Sequence, residues 1–446
     1  MKFGGTSVAD PDAIKRLIEI VRARAQSRPA PVVVVSALAR VTDALVHVTR
    51  LAEEGESRRA GDELRALVDR HVAVAAAVTT ERRAAVTAEV RCEFDELIGL
   101  VHALAVLREV SPRSLDAVLA VGELVSSRIV AAALADCGIP SAWVDARHVL
   151  ITDAEHNAAG PDSAETCART HARVAPLSAS GTVAVLGGFI GSTANGVTTT
   201  LGRGGSDYSA ATFGACLGTG EIQIWTDVDG MLTADPRVVP QPRVVPHLSF
   251  SEASELAYFG AKVLHPSTIL PAVAKSIPVR ILNSRRPENG GTLITAQTQP
   301  VDGKLTAIAC KREVTVIDIT STRMLMAHGF LRRLFEVFER FKTAVDVVTT
   351  SEVSVSVTVD DTRRLDAIVD NLRSFADVSC EPDMAIICAV GENLRGDPTL
   401  FGRAVTALDR IPLRLVSQAA SRRNVTFVLR NSDVPHAMMR LHEAFF

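Results

Sequence analysis

The sequence predicts an α/β fold: a mainly parallel sheet sandwiched by helices, followed by two smaller α+β modules. Three observations carry this. Apolar runs without polar alternation, such as Val32-Val33-Val34-Val35, read as strands buried on both faces. These runs alternate with long helical stretches over the first two thirds of the chain. Beyond a cluster of turn formers, Arg286-Pro287-Glu288-Asn289-Gly290-Gly291, the texture changes to a repeated strand–helix–strand order.

The elements follow in order. Lys2 and Phe3 lead into a glycine loop, Gly4-Gly5-Thr6-Ser7. Buried-type strands are expected at 31–36, 182–186, 222–225 and 278–282. Helices are expected at about 11–27, 41–54, 60–108 in pieces, and 115–136. In the last third a strand at 314–319, an amphipathic helix at 329–341 and an alternating strand at 351–360 are followed by 385–390, 400–408 and 425–429 in the same order. Val345 to Ser351 resembles Leu413 to Ala419, which marks two copies of about 60 to 70 residues each. The expected boundaries are 1–290 for the first domain, and 305–380 and 384–446 for the two modules.

At 446 residues the chain is long enough for two or three domains. Hydrophobic residues make up 47% and aromatics 4%, so Ala and Val must fill the cores. A net charge of −3 gives no pull toward nucleic acid or an anionic membrane. The apolar runs fall short of a membrane span. Met1 leads directly into the glycine segment with no signal peptide between, and a cytoplasmic protein is expected. Seven cysteines are scattered without a CxxC pair, so reduced, buried thiols are expected rather than disulfides or zinc. The histidines show no metal-ligand spacing, and no protein-held metal is expected.

Two segments stand out chemically. Lys2-Phe3-Gly4-Gly5-Thr6-Ser7 and Leu201-Gly202-Arg203-Gly204-Gly205-Ser206-Asp207 each set glycines beside a cation and hydroxyls. Glycine lets main-chain N–H groups close on an anion, and a helix start favours phosphate or carboxylate. Two such loops suggest a site where two anions meet, as in phosphoryl transfer to a carboxylate. No G-x-x-x-x-G-K-[ST] sequence occurs, which excludes a P-loop enzyme.

Further segments join these two: Ser36-Ala37 with Val41-Thr42-Asp43, Gly122-Glu123, Thr226-Asp227-Val228-Asp229-Gly230 with Ala234-Asp235-Pro236-Arg237, and Gly260-Ala261-Lys262-Val263-Leu264-His265-Pro266. In this order the chain resembles the aspartate kinases of the amino-acid kinase family, and its two repeats look like that family's paired βαββαβ ACT regulatory domains. The resemblance implies ATP-dependent phosphorylation of the L-aspartate side chain to 4-phospho-L-aspartate, the first step towards lysine, threonine and methionine.

Carried onto these positions, the resemblance assigns phosphate contact to Lys2, Gly4 and Gly5, with Lys2 and Arg203 as the catalytic cations. Arg203 would grip the substrate α-carboxylate, for which a guanidinium fork is suited. Glu123, in an apolar helical stretch, needs a partner, either the substrate ammonium or an internal cation. Ser36, Thr42 and Ser206 can donate hydroxyls to substrate; Ser36 and Thr42 can equally cap helices. Asp207 is either a helix cap or a contact to substrate or nucleotide-bound magnesium. Thr226, Asp227, Leu232 and Arg237 would line the nucleotide site, and Lys262 would reach its phosphates. Mg2+ is expected with ATP, held by phosphate oxygens and water.

In the regulatory half, Met324, Gly329, Phe330, Leu331, Val345, Asp346, Ser351 and Glu352 look most like the lysine-sensitive type. An amino-acid effector, lysine foremost, would take main-chain donors from 329–331 and an acid from Asp346 or Glu352. The alternative is that the modules only join a homodimer. The competing functions are an amino-acid sensor without catalysis, and a related kinase for another acidic substrate. Four departures from the family pattern bear on this. Only Met1 precedes Lys2, which is expected to leave Lys2 loosely held. Arg40 stands where glycine is common, and Leu232 where an aromatic is common. Met326, Ala327 and Ala419 differ from the lysine-sensitive pattern.

Overall fold

A computed structural model describes residues 1–260, 266–297, 305–324, 328–418 and 422–446. It contains two compact units, Met1–Met231 with Leu264–Ala296, and Leu232–Val263 with Gln297–Phe446. Residues 232–263 fall within the stretch 1–290 that the sequence assigns to one domain, yet they pack with the second unit. Ala234 and Val239 lie in one apolar core with Ile308, Ile387 and Phe427, and the Ile308 N–H donates to the Thr233 carbonyl at 2.8 Å.

The main sheet of the first unit runs Ser141–Val144, Val183–Gly187, Val33–Val35, Lys2–Phe3, Ile222–Thr226, Val279–Asn283, Thr292–Thr295. Every neighbouring pair is parallel except the last. Strand alternation shows why the apolar runs lack polar breaks. Val33, Val35, Val183 and Val185 point into one core, and Val34, Ala184 and Leu186 into another, so both faces are covered. The Pro112–Asp136 helix, started by Pro112 and capped by the Ser111 side chain, feeds both cores with Val118, Val125, Ala120 and Leu124. This helix is long and apolar enough to cross a membrane, contrary to the expectation from apolar runs. With 83% of its apolar window buried, it serves as the unit's core helix. A three-stranded sheet of Ile151–Thr152, Ile190–Thr193 and Thr198–Thr200 lies beside it in the chain order.

The cysteine expectation is corrected. Cys167 and Cys216 form a disulfide between the Ser163–Arg173 and Gly205–Leu217 helices. Cys92, Cys137 and Cys380 are free but exposed, and only Cys388 is a buried thiol. The pair is 49 residues apart in sequence, so no local spacing announces it.

In the second unit a six-stranded antiparallel sheet runs Val348–Thr350, Ser354–Val359, Ala307–Thr320, Asp377–Val390, Asn424–Arg430, Leu415–Ser417. The repeat seen in the sequence places its two copies at the two edges. The long central strands each serve both halves. Val314 to Thr320 pairs with Asp377 to Met384, and Ala307 to Lys311 with Ile386 to Val390. The second half is therefore completed by residues 307–311, which fall within the stretch 305–380 expected to form the first module alone. Helices Phe330–Arg340 and Leu365–Arg373 cover one half, and Pro398–Ala407 and Val434–Phe445 the other.

Candidate active site

In open parallel sheets ligands gather beyond the carboxyl ends of the strands. Lys2, Gly4, Gly5, Ser36, Glu123, Ser206 and Asp207 come together there. Lys2–Phe3 sits between Val33–Val35 and Ile222–Thr226, and three loops step off together: the Gly4 N–H donates to Trp225 O at 3.0 Å, the Ser36 N–H to Phe3 O at 3.1 Å, and the Gly188 N–H to Val35 O at 2.8 Å. The first strand has two residues, yet its central place leaves Lys2 8% exposed. The expected looseness of Lys2 is not found.

The Lys2 ammonium lies 2.7 Å from Asp207 Oδ1, with both side chains largely buried. Asp207 opens the Gly205–Leu217 helix, and its own N–H donates to Gly204 O. The two glycine segments thus meet through a single ion pair. Gly4 lies against the same ammonium; a Cβ there would be 3.5 Å from Nζ. Ser206 is held at the helix start against Gly188, where a Cβ would fall 2.8 Å from Ser206 Cα. The Gly187-Gly188 step carries no cation or hydroxyl, and its only signal in the sequence is a double glycine at the end of a buried strand.

Glu123 is fully enclosed on the core helix. One oxygen accepts the Ala37 N–H at 3.1 Å, and the other has no hydrogen-bond partner. Burial pushes its pKa up to about 8, while the Ala37 N–H and the Lys2 ammonium pull it down. An unpaired buried carboxyl oxygen is a group awaiting a partner. Ser126 Oγ donates to Ser36 O at 2.8 Å and ties the Ser36 loop to the same helix. Gly5 abuts Ala37 O, and Thr42 lies half-buried in the first turn of the Val41–Glu53 helix. Arg40, before that helix, has φ +67°, so the common glycine has a conformational reason.

Arg203 lies between two positive-φ glycines, Gly202 and Gly204, both at +73°. It is exposed and pairs with no carboxylate among the described residues. Only four positions separate it from Asp207, a span of at most about 14 Å. On the far side of the central strand, Thr226 ends its strand and Asp227 is exposed. The following loop is anchored by Asp229, which accepts from Asn283 Nδ2 at 2.8 Å and pairs with Arg286 at 2.5 Å. Among the described residues no three His, Cys, Asp or Glu side chains gather to hold a metal ion.

Leu232 and Arg237 belong to the second unit. Leu232 bridges to Val244, and Arg237 makes a bidentate pair with Asp235, at 3.0 Å and 2.6 Å, which lowers the Asp235 pKa. Lys262, Met326, Ala327 and Ala419 lie outside the described residues.

Among the regulatory candidates, Met324, Phe330 and Val345 border one apolar core, and Phe330 meets Phe375 edge-on at 5.7 Å. Gly329, at φ +82°, starts the Phe330–Arg340 helix, and Leu331 is exposed. Ser351 and Glu352 form the turn after the Val348–Thr350 edge strand, with Ser351 Oγ 2.6 Å from Ser354 Oγ. Asp346 is already engaged: Lys311 Nζ lies at 2.7 Å and Tyr258 O–H donates at 2.7 Å. Burial and that bond push the Tyr258 pKa up.

Residues 1–283 match the amino acid kinase family, and residues 387–445 match the ACT domain. The chain is 37% identical to aspartokinase 3, chloroplastic, of Arabidopsis thaliana over 100% of its own length and 81% of the relative's. The E. coli aspartokinase III structure in complex with aspartate and ADP (R-state) superposes with a TM-score of 0.85 at 34% identity, covering 99% of this chain and 98% of that one. The same enzyme in complex with lysine and aspartate (T-state) gives 0.82 at 35% identity, covering 100% and 98%. By the family match over 1–283 and the full-length likeness to these relatives, the chain belongs to the amino acid kinase family as one of its aspartokinases.

Proposed function

We propose that the protein transfers the γ-phosphoryl group of ATP to the side-chain carboxylate of L-aspartate. The observation that supports this reading most strongly is the 2.7 Å Lys2–Asp207 pair, which joins the two glycine segments at the carboxyl edge of the sheet. The acceptor has an intrinsic pKa of roughly 4 and is ionised at neutral pH, so no base is required. A carboxylate oxygen attacks the γ-phosphorus, the bond to the β–γ bridging oxygen breaks, and ADP leaves with that electron pair. The obstacle is repulsion between anions. Lys2 counters charge on the transferring group, and Asp207 fixes the ammonium's position. Arg203 grips the substrate α-carboxylate, and the unpartnered oxygen of Glu123 receives its ammonium. Ser36, Thr42 and Ser206 supply hydroxyls to the substrate. Thr226 and Asp227 serve the nucleotide. Magnesium would come on the nucleotide's phosphate oxygens and supply further charge neutralisation; the chain gathers no cage of its own among the described residues.

Trapping the acyl phosphate with hydroxylamine tests the reaction. Lys2→Ala is expected to lower kcat at least about 100-fold. Undiminished turnover in that variant, or no aspartate-dependent trapping by the unaltered enzyme, would overturn the reading.

We further propose feedback by lysine and a cytoplasmic homodimer joined through the ACT modules. The lysine-bound E. coli relative supports the first. Glu352, exposed, is the acid open to an effector ammonium, whereas Asp346 would have to be shared with Lys311 and Tyr258. The edge strands Val348–Thr350 and Leu415–Ser417, with Val348 and Val416 exposed, offer unpaired backbone to a second copy.

A further inference from the structure

Asp116 lies two helical turns before Glu123 on the Pro112–Asp136 helix, on nearly the same stripe. Its side chain is fully buried and plays no part in the reaction described above. Among the described residues its donors come from two segments. Thr200 Oγ1 donates to Oδ1 at 2.5 Å. His156 Nδ1 lies 2.6 Å from Oδ2, and since a carboxylate only accepts, that nitrogen carries the proton. The Asn157 N–H reaches both oxygens, at 3.1 and 3.2 Å.

Both segments bound the Arg203 loop. Thr200 is three residues before Arg203, and its carbonyl accepts the Ala159 N–H at 3.0 Å. The Asn157 carbonyl presses on Gly202, where a Cβ would fall 2.8 Å away. Arg203 itself has no carboxylate partner among the described residues, so the backbone of 200–204 sets where its guanidinium can reach.

We propose that Asp116 is a positioning residue for the substrate-carboxylate clamp. It ties Thr200 to Asn157 and so fixes the loop that presents Arg203. The inference rests on the reading of Arg203 as the partner of the aspartate α-carboxylate.

Steady-state kinetics with Asp116→Asn, Thr200→Val, Thr200→Ser, Arg203→Ala and the double variant Asp116→Asn/Arg203→Ala test it. Asp116→Asn and Thr200→Val are expected to raise the KM for aspartate about tenfold, with kcat and the KM for ATP changed less than about twofold. Thr200→Ser should restore most of the aspartate affinity lost in Thr200→Val. In the Arg203→Ala background, Asp116→Asn should add less than about twofold. An undiminished effect in that background, or equal shifts in both KM values, would overturn the inference. If Asp116→Asn fails to fold, the Thr200 pair decides. Arg203→Ala raising the aspartate KM while Asp116→Asn and Thr200→Val do not sinks this inference alone. Arg203→Ala leaving that KM unchanged sinks the reading of Arg203 as well.

Discussion

Glu123 holds its proton across neutral pH because it is enclosed, and a cation placed opposite it would reverse that. Its folded pKa is about 8 against an ordinary 4.5. Between those values the unfolded chain has lost the proton while the folded one keeps it, so Glu123 lowers stability progressively as pH rises from 4.5 to 8. The substrate ammonium would pull the pKa down, so aspartate binding at pH 7 should release a proton. The kcat/KM for aspartate should therefore rise with pH up to about 8 and level off above it. Glu123→Gln should abolish that rise; a wild-type profile flat between pH 6 and 9 would contradict the assignment. Arg40 makes a second residue-scale case. Its left-handed backbone costs an L-residue about 1–2 kcal/mol. Arg40→Gly should stabilise the fold by up to about 1 kcal/mol, read by chemical denaturation, with loss of stability as the contrary result. At this scale the sequence spoke through residue type: a carboxylate amid apolar neighbours and an arginine in a glycine's place were both visible. The orphaned oxygen and the Asp116 cluster were not, since each depends on partners dozens of residues away.

Elements show the same division. The buried strands and the long helices were legible because their apolar runs obey the periods of doubly covered sheets and amphipathic helices. The Lys2–Phe3 strand was undervalued because length suggests weakness, whereas hydrogen bonds on both sides give it a central place. Short strands such as Thr198–Thr200 and Val348–Thr350 gave no periodic signal over three residues. One helix contact is open to direct test. A Cβ on Gly122 would fall 2.8 Å from the Ala37 Cβ, so the core helix can approach the Ser36 loop only without a side chain there. Gly122→Ala should cost about 1–3 kcal/mol of stability and weaken aspartate binding by lengthening the Ala37–Glu123 hydrogen bond. Thermal denaturation and aspartate KM measure the two effects, and an unchanged KM would show that the approach is not what sets the site.

On the scale of the molecule, the doubling of the regulatory half could be read from the likeness of 345–351 to 413–419, but its interlocking could not. Strand pairing is a long-range choice, and nothing local says that residues 307–311 complete the later module. The expected consequence is that residues 384–446 alone leave the 386–390 edge bare and aggregate, whereas residues 305–446 unfold cooperatively. Light scattering and circular dichroism distinguish these outcomes; two equally soluble, folded fragments would refute the shared strand. The strands Ala307–Thr320 and Asp377–Val390 behave as continuous spars beneath both halves. Their register slips between Lys311 and Val316, and Glu313 and Asp383 turn to positive φ nearby. With no loop at the junction to absorb a distortion, a tilt started by a ligand on one half must travel along unbroken backbone, and this crease is where it would be bent toward the other half or stopped.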